Sequence, residues 1–226
     1  MKFKGTLIGP ASGSLAGLTF SHNAGGQYIR QRVIPVNSNT VQQQAIRNFI
    51  AQCASAWTTI LTQPYRDGWQ AYADAVPFID PLGEPRYVGG LAMFCACNVP
   101  RLQAGMTRVD APPAILTLPT FTLPVYTVTA PSTGSLAFTN TDGWAIAVGG
   151  AMLLYTSRGQ GVGINYFKGP YRYAGKVLGA VVPPTSPASI PPAFSVVAGQ
   201  KVFYRVKIVM TDGRASGDAF LVVVSG

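Results

Sequence analysis

Charge is scarce in this chain. Asp, Glu, Lys and Arg make 11% of its 226 residues, against about 25% in ordinary soluble domains. Hydrophobic residues make 48%, so a disordered chain, poor in apolar residues and rich in charge, is excluded. Gly (25) and Pro (18) are too abundant for a helical bundle or coiled coil. Long apolar runs are missing as well. The longest, Trp144 to Tyr155, has 12 residues and contains Gly149 and Gly150, short of the ~20 that a membrane helix needs. The stretch after Met1-Lys2-Phe3-Lys4 is interrupted by Gly9, Pro10 and Gly13. It lacks the apolar core of a signal peptide, so the chain is expected to fold in a cytoplasm. What remains is a folded, loop-rich and strand-rich protein whose sparsely charged surface suits coverage by partners.

The residues that carry chemistry are equally few. His22 is the one histidine, and it falls in an Asn/Gly turn, so a Ser-His-Asp hydrolase has no convincing base. The eight acids are scattered over Asp67, Asp74, Asp80, Glu84, Asp110, Asp142, Asp212 and Asp218. Asp67 and Asp74 share a helix face as solvated charges, and Asp142 and Asp212 precede glycines as turn residues. No carboxylate pair for acid–base work stands out. Three cysteines, Cys53, Cys95 and Cys97, form neither a disulfide framework nor a zinc set and read as small buried hydrophobes. Gly159-x-Gly161-x-Gly163 lacks the following helix of a phosphate loop and reads as a strand connection. No enzyme, cofactor or metal is expected.

The charge that exists is biased to +9. Both halves share it without a like-charge run. Nucleic-acid binders cluster Lys and Arg among aromatics, and the nearest approach here is one strand-spaced row, Tyr28, Arg30 and Arg32. A basic nucleic-acid-binding protein is therefore a minor alternative.

Along the chain, residues 5–36 read as a β-hairpin with glycine turns. Gly25-Gly26 supplies positive φ, and Pro35 ends the outgoing strand. Val41, Ala45, Phe49, Cys53 and Trp57 recur every four residues after the N-cap candidate Thr40 and predict a helix of about five turns. A second helix is predicted from Thr62, with Pro64 in its first turn and Tyr65, Trp69, Tyr72 and Val76 inward. Leu91–Leu102 is a third. Trp57 and Trp69 are read as core aromatics of antiparallel helices. Pro112, Pro113, Pro119 and Pro124 suggest a linker over 111–124. Eight short strands are predicted beyond it: Val125–Thr129, Ser135–Thr139, Trp144–Ala147, Met152–Thr156, Tyr171–Ala174, Phe194–Val197, Lys201–Met210 and Ala219–Val224. Pro183–Pro192 reads as an extended loop outside the core. The expected fold is an α+β N-terminal domain (1–110, a β-hairpin plus two or three helices), then an all-β immunoglobulin-like sandwich (125–226).

Two resemblances add to this. Tyr204-x-Val206-x-Ile208, then Gly213 and Ser216, resembles the last two strands of fibronectin type III and related immunoglobulin-like domains. Over about 60 residues the chain also resembles an uncharacterised family of tailed-phage and prophage structural proteins. The pattern runs through Ser12-Gly13, Gly17, Phe20, Asn23, Gly26, Tyr28 and Arg30. It continues through Pro35, Asn37, Thr40, Gln43 and Arg47 to Trp57, Leu61-Thr62, Arg66 and Trp69. Ser38 stands where proline is usual, and Tyr65 where glutamine is usual. The resemblance implies a virion component assembled in the host cytoplasm, without catalytic residues. Its expected partners are other virion proteins, the major capsid protein or tail proteins, with the chain homo-oligomeric or multi-copy in the particle. Capsid decoration is the leading expectation, and a tail, connector or baseplate role the alternative. Tyr28, Arg30 and Arg32 are the candidate partner contact.

Overall fold

The computed structural model describes residues 12–23, 26–34, 37, 39–79 and 85–226. The chain divides into two compact units, 1–41 and 42–226.

The first unit is a three-stranded antiparallel meander. Its strands are β1 (Gly13–Leu15), β2 (Leu18–Asn23) and β3 (Gly26–Gln31), in the order β1-β2-β3. Leu15 pairs with Leu18, leaving a two-residue turn in which Ala16 and Gly17 both take positive φ. That geometry matches the right-handed twist of the flanking strands. β2 and β3 form the predicted hairpin, closed by the Asn23–Gly26 pair. Gly25 and Pro35, named above as turn and strand end, lie outside the described residues.

The second unit begins with three helices. α1 (Val41–Thr59) starts directly after Thr40. α2 (Gln63–Ala75) has Thr62 at its N-cap and Pro64 in the first turn. α3 (Gly90–Gln103) continues through Pro100. A short ladder, β4 (Phe78–Ile79) with β5 (Pro85–Arg86), joins α2 to α3 and had no sequence signal. The inward stripe of α2 holds for Trp69, Tyr72 and Val76, which are buried, but Tyr65, expected inward with them, is exposed. Trp69 meets Phe94 edge-on at 5.3 Å, and Trp57 packs on Phe94 at 5.8 Å. Trp69 is thus a core aromatic, and Trp57, partly buried, packs against the same core.

Seven further strands form two sheets. β6 (Val125–Thr129), β7 (Thr133–Ala137) and β10 (Ala188–Ser189) make one, in the order β10-β7-β6. β8 (Ala151–Thr156), β9 (Arg172–Leu178), β11 (Lys201–Val209) and β12 (Ala219–Val224) make the other, in the order β12-β11-β8-β9. All pairings are antiparallel. Tyr126, Val128 and Leu136 of the smaller sheet pack on Met152, Leu154, Val202, Tyr204, Val206 and Ile208 of the larger one. On the other face of the larger sheet, Ala151, Leu153, Tyr155 and Val209 share a core with Cys53, Trp69, Tyr72, Phe94 and Cys97 of the helices. The unit has three layers: helices, the four-stranded sheet and the three-stranded sheet. The fold class is mixed α+β.

This layering corrects the expected boundary at 111–124. Helices and larger sheet share one core, so no separate domain ends at residue 110. The proline-rich segment is pinned, not free. Trp69 Nε1 donates to Asp110 O (2.9 Å), and Asn98 bonds both backbone groups of Val109. Pro112 lies so close over Gly68 that an added Cβ would meet it at 2.5 Å. Arg214 Nη1 donates to Thr117 O, and Thr122 N and Oγ1 donate to Asp142.

Three strand expectations also change. Trp144–Ala147 is a run of turns: Ala145 and Ile146 N–H donate to Asp142 O, which buries Trp144 outside any ladder. Phe194–Val197 forms no strand. Pro183–Pro192, read as a loop outside the core, supplies β10 and the buried Ile190. Gly134 makes that possible. A Cβ there would stand 2.2 Å from Ile190 O and 2.3 Å from Tyr126 Oη. Without it, Tyr126 Oη donates to Ile190 O at 2.9 Å.

Truncating a buried leucine costs about 2–5 kcal/mol. Leu153 faces the helices and Leu154 the second sheet, both fully buried on one strand. Leu153→Ala and Leu154→Ala are each expected to lower the same single urea transition of residues 42–226 by about that amount. Two transitions, each sensitive to only one variant, would show separable helical and sheet domains.

Candidate partner-contact site

The three contact residues predicted from sequence fall together on the meander. Tyr28 pairs with Ser21 and Arg30 with Thr19, so strand alternation puts Tyr28 and Arg30 on one face. Arg32 extends the row one residue past β3, its N–H donating to Gly17 O at 2.7 Å. Tyr28 is half-buried, and both arginines are exposed. Leu15 of β1 (72% exposed) pairs with Leu18, on the face opposite Tyr28 and Arg30, and Val33 (76%) and Ile34 (79%) follow β3 beyond Arg32. Strands with this much exposed apolar surface do not form a core of their own.

Sequence reasoning missed a second cluster, on the helix-side face of the larger sheet. A groove of about 890 Å³ opens between α1, α3 and the sheet. In its floor the Arg205 guanidinium stacks 4.1 Å over the Tyr155 ring, and Asp218 pairs with Arg205 (3.2 Å) and Lys207 (3.6 Å). Tyr155 Oη donates to Gln103 Oε1 at 2.6 Å, and burial pushes its pKa up to about 12. The signal was available. In Val202, Tyr204, Val206 and Ile208 the notable face is apolar, but Arg205 and Lys207 alternate with it. A central strand with two cations on its second face must leave that face partly wet.

Among the described residues, the remaining sequence candidates do not gather into one cluster. His22 lies in β2. Asp67 and Asp74 accept hydrogen bonds from Gln63 and Gln70 one turn earlier, on an exposed face. Asp212 accepts from Arg214 N and Nε, a turn aspartate as expected. Asp80 and Glu84 lie outside the described residues. Gly159, Gly161 and Gly163 sit in the connection from β8 to β9. Among the described residues no three His, Cys, Asp or Glu side chains gather as a metal site, and no helix is long and apolar enough to cross a membrane.

The cysteines differ from one another. Cys53 of α1 and Cys95 of α3 share a hydrogen bond, which pushes the Cys53 thiol far up and holds Cys95 below its usual range. Burial raises Cys97 to about 11. Thiolates are the reactive form, and only Cys95 is less than fully buried. Iodoacetamide at neutral pH is expected to alkylate Cys95 first, with Cys53 and Cys97 labelled only on unfolding, as read by peptide mass spectrometry. Equal labelling of all three in the folded protein would contradict this ranking.

Compared with known proteins, the chain matches no family model and no curated protein.

Proposed function

We propose that this chain is a non-enzymatic structural component of a tailed-phage particle, foremost a capsid decoration or cementing protein. The observation that carries the reading is the N-terminal unit, where Arg30 and Arg32 are exposed, Val33 and Ile34 follow them exposed in turn, and Leu15 is exposed on the other face of the meander. A protein with such a unit is suited to being held by a neighbour, and the resemblance to phage structural proteins names the kind of neighbour. The low overall charge agrees, since an assembled surface needs little solvated charge of its own. The positive balance steers docking toward an acidic shell and contributes more to rate than to specificity.

The C-terminal part is proposed to be an immunoglobulin-like sandwich of fibronectin III type. Counting from β6, the first, second and fifth strands form one sheet, and the third, fourth, sixth and seventh the other. Apart from the fourth strand, which here joins the larger sheet, this is the division of seven antiparallel strands in a constant-type immunoglobulin sandwich. Fold alone assigns no function.

The reading is tested with particles of the encoding phage that lack this gene product. Added protein is expected to bind at saturable copy number and to raise the temperature at which particles release DNA. Arg30→Glu combined with Arg32→Glu is expected to weaken binding about tenfold, roughly 1.4 kcal/mol. No binding and unchanged particle stability would overturn the proposal. Hundreds of copies per particle support the head, and six or twelve a connector or tail.

A further inference from the structure

We infer that the β12 edge of the larger sheet is a strand-addition site for an extended, acidic segment of a neighbouring protein. β12 is an outermost strand of its sheet. Ser225 N–H donates to Gln200 O, and Lys201 pairs with Val224. Antiparallel hydrogen bonding alternates along a strand. Leu221 and Val223 therefore direct their backbone groups at β11, and Phe220 and Val222 direct theirs outward. At its far end β12 hands over to β6, where Gly226 N–H donates to Val128 O and Gly226 O accepts from Ala130 N–H. The backbone groups of Phe220 and Val222 have no such partner among the described residues.

Natural edge strands are protected by charge, proline or a bulge. Ala219–Val224 has neither charge nor proline, and Phe220 (60% exposed) and Val222 (50%) present their side chains to solvent. Those side chains share the face of Phe203 and Arg205, their cross-strand partners. The helices do not cover this part of the sheet. The connection from β8 to β9 approaches it and stacks Phe167 on Phe203 at 5.5 Å, leaving a cleft of about 340 Å³ lined by Phe167, Phe203, Phe220 and Val222. An open backbone edge beside a pocket for alternate side chains is the arrangement by which sheets take up extended peptides.

Charge selects the occupant. Lys168 lines the cleft, and no carboxylate does. Lys201, on the same face of β11, gives its ammonium only to the neutral oxygens of Ile164 and Asn165. Neither lysine has an ion pair among the described residues. A second copy of this chain, with net charge +9, would bring like charge to like. A segment with apolar alternate residues and flanking carboxylates satisfies edge, cleft and lysines together.

The proposal rests on the docking role above only for where the segment comes from. It is tested with the full chain and a fluorescein-labelled peptide, Glu-Val-Thr-Val-Thr-Val-Glu, by fluorescence anisotropy at low salt. Saturable binding is expected, at least tenfold weaker for Val222→Lys. It should be similarly weakened when lysines replace the peptide's glutamates, and lost when its interior amides are N-methylated. Phe220→Ser, at a more exposed position, is the second variant, and thermal melts of both should match the parent. Absence of saturable binding, or equal binding of the N-methylated peptide, overturns strand addition. Sedimentation as a dimer that Val222→Lys dissociates also overturns it, in favour of a second copy. If particles take up the protein but the peptide does not bind, only strand addition falls. If the peptide binds but particles do not take up the protein, only the virion reading falls.

Discussion

Strand β8 bears apolar side chains on both faces, and the larger unit is arranged around that fact. All six of its residues, Ala151 to Thr156, are buried. Ala151, Leu153 and Tyr155 belong to the helical core, and Met152 and Leu154 to the core between the sheets. A sheet strand normally wets one face, and double burial requires layers on both sides. The helices and the small sheet are therefore not independent attachments. Each covers surface that the other leaves exposed, and each buried leucine contributes about 1.5–3 kcal/mol relative to exposure.

A buried cation fastens the helical layer. Arg101 of α3 is 3% exposed and has no ion pair among the described residues, and burial pulls its pKa down, against the pull of Asp212. Its guanidinium donates to Thr107 O (3.2 Å), Gly149 O (2.9 Å) and Met210 O. These carbonyls come from the segment after α3, the turns before β8 and the end of β11. One side chain thus satisfies loop carbonyls that a buried position would otherwise leave unpaired. Lys176 of β9 does the same for Ala104 O at the end of α3. The cations that looked like diffuse surface charge in the composition are partly structural.

Helices and central strands were legible in the sequence because their signals are local. The four-residue recurrence from Val41 to Trp57 and the two-residue alternation from Val202 to Ile208 each act within one element, and β6 and β12 fall within their predicted bounds. The layering was not legible, because it depends on what lies against each face. Prolines 112–124 carry the composition of a linker, yet Trp69 and Asn98 hold Asp110 and Val109 just before that segment, and Arg214, 97 positions away, and Asp142 hold Thr117 and Thr122 within it. Trp144 has strand-like neighbours, but the Asp142 carbonyl captures the next amides into turns. β10 is short and proline-flanked, and exists because Gly134 admits Ile190 beside Tyr126. For the contact row the sequence was informative: alternation alone places Tyr28 and Arg30 together. The Arg205–Asp218 cluster escaped because the apolar face of its strand drew attention from the polar one.

Coverage of the larger sheet also explains how a chain with 11% charge distributes its exposed apolar surface. The helices bury the helix-side face at Leu153 and Val209 and stop short of Phe203, Phe220 and Val222. At the boundary, Arg205 lies over Tyr155 and within 6.0 Å of Tyr171, whose ring meets Phe220 at 5.6 Å. The polar cluster therefore forms a rim between a covered region and an uncovered one. A monomer gains nothing from a bare edge with Phe and Val on it, because such an edge invites aggregation. In the strand addition proposed above, a partner's backbone and side chains would take the place of solvent there. The exposed leucine, valine and isoleucine of the first unit lie at the other end of the chain. Two exposed apolar regions are what the docking role and the strand-addition site proposed above would each use.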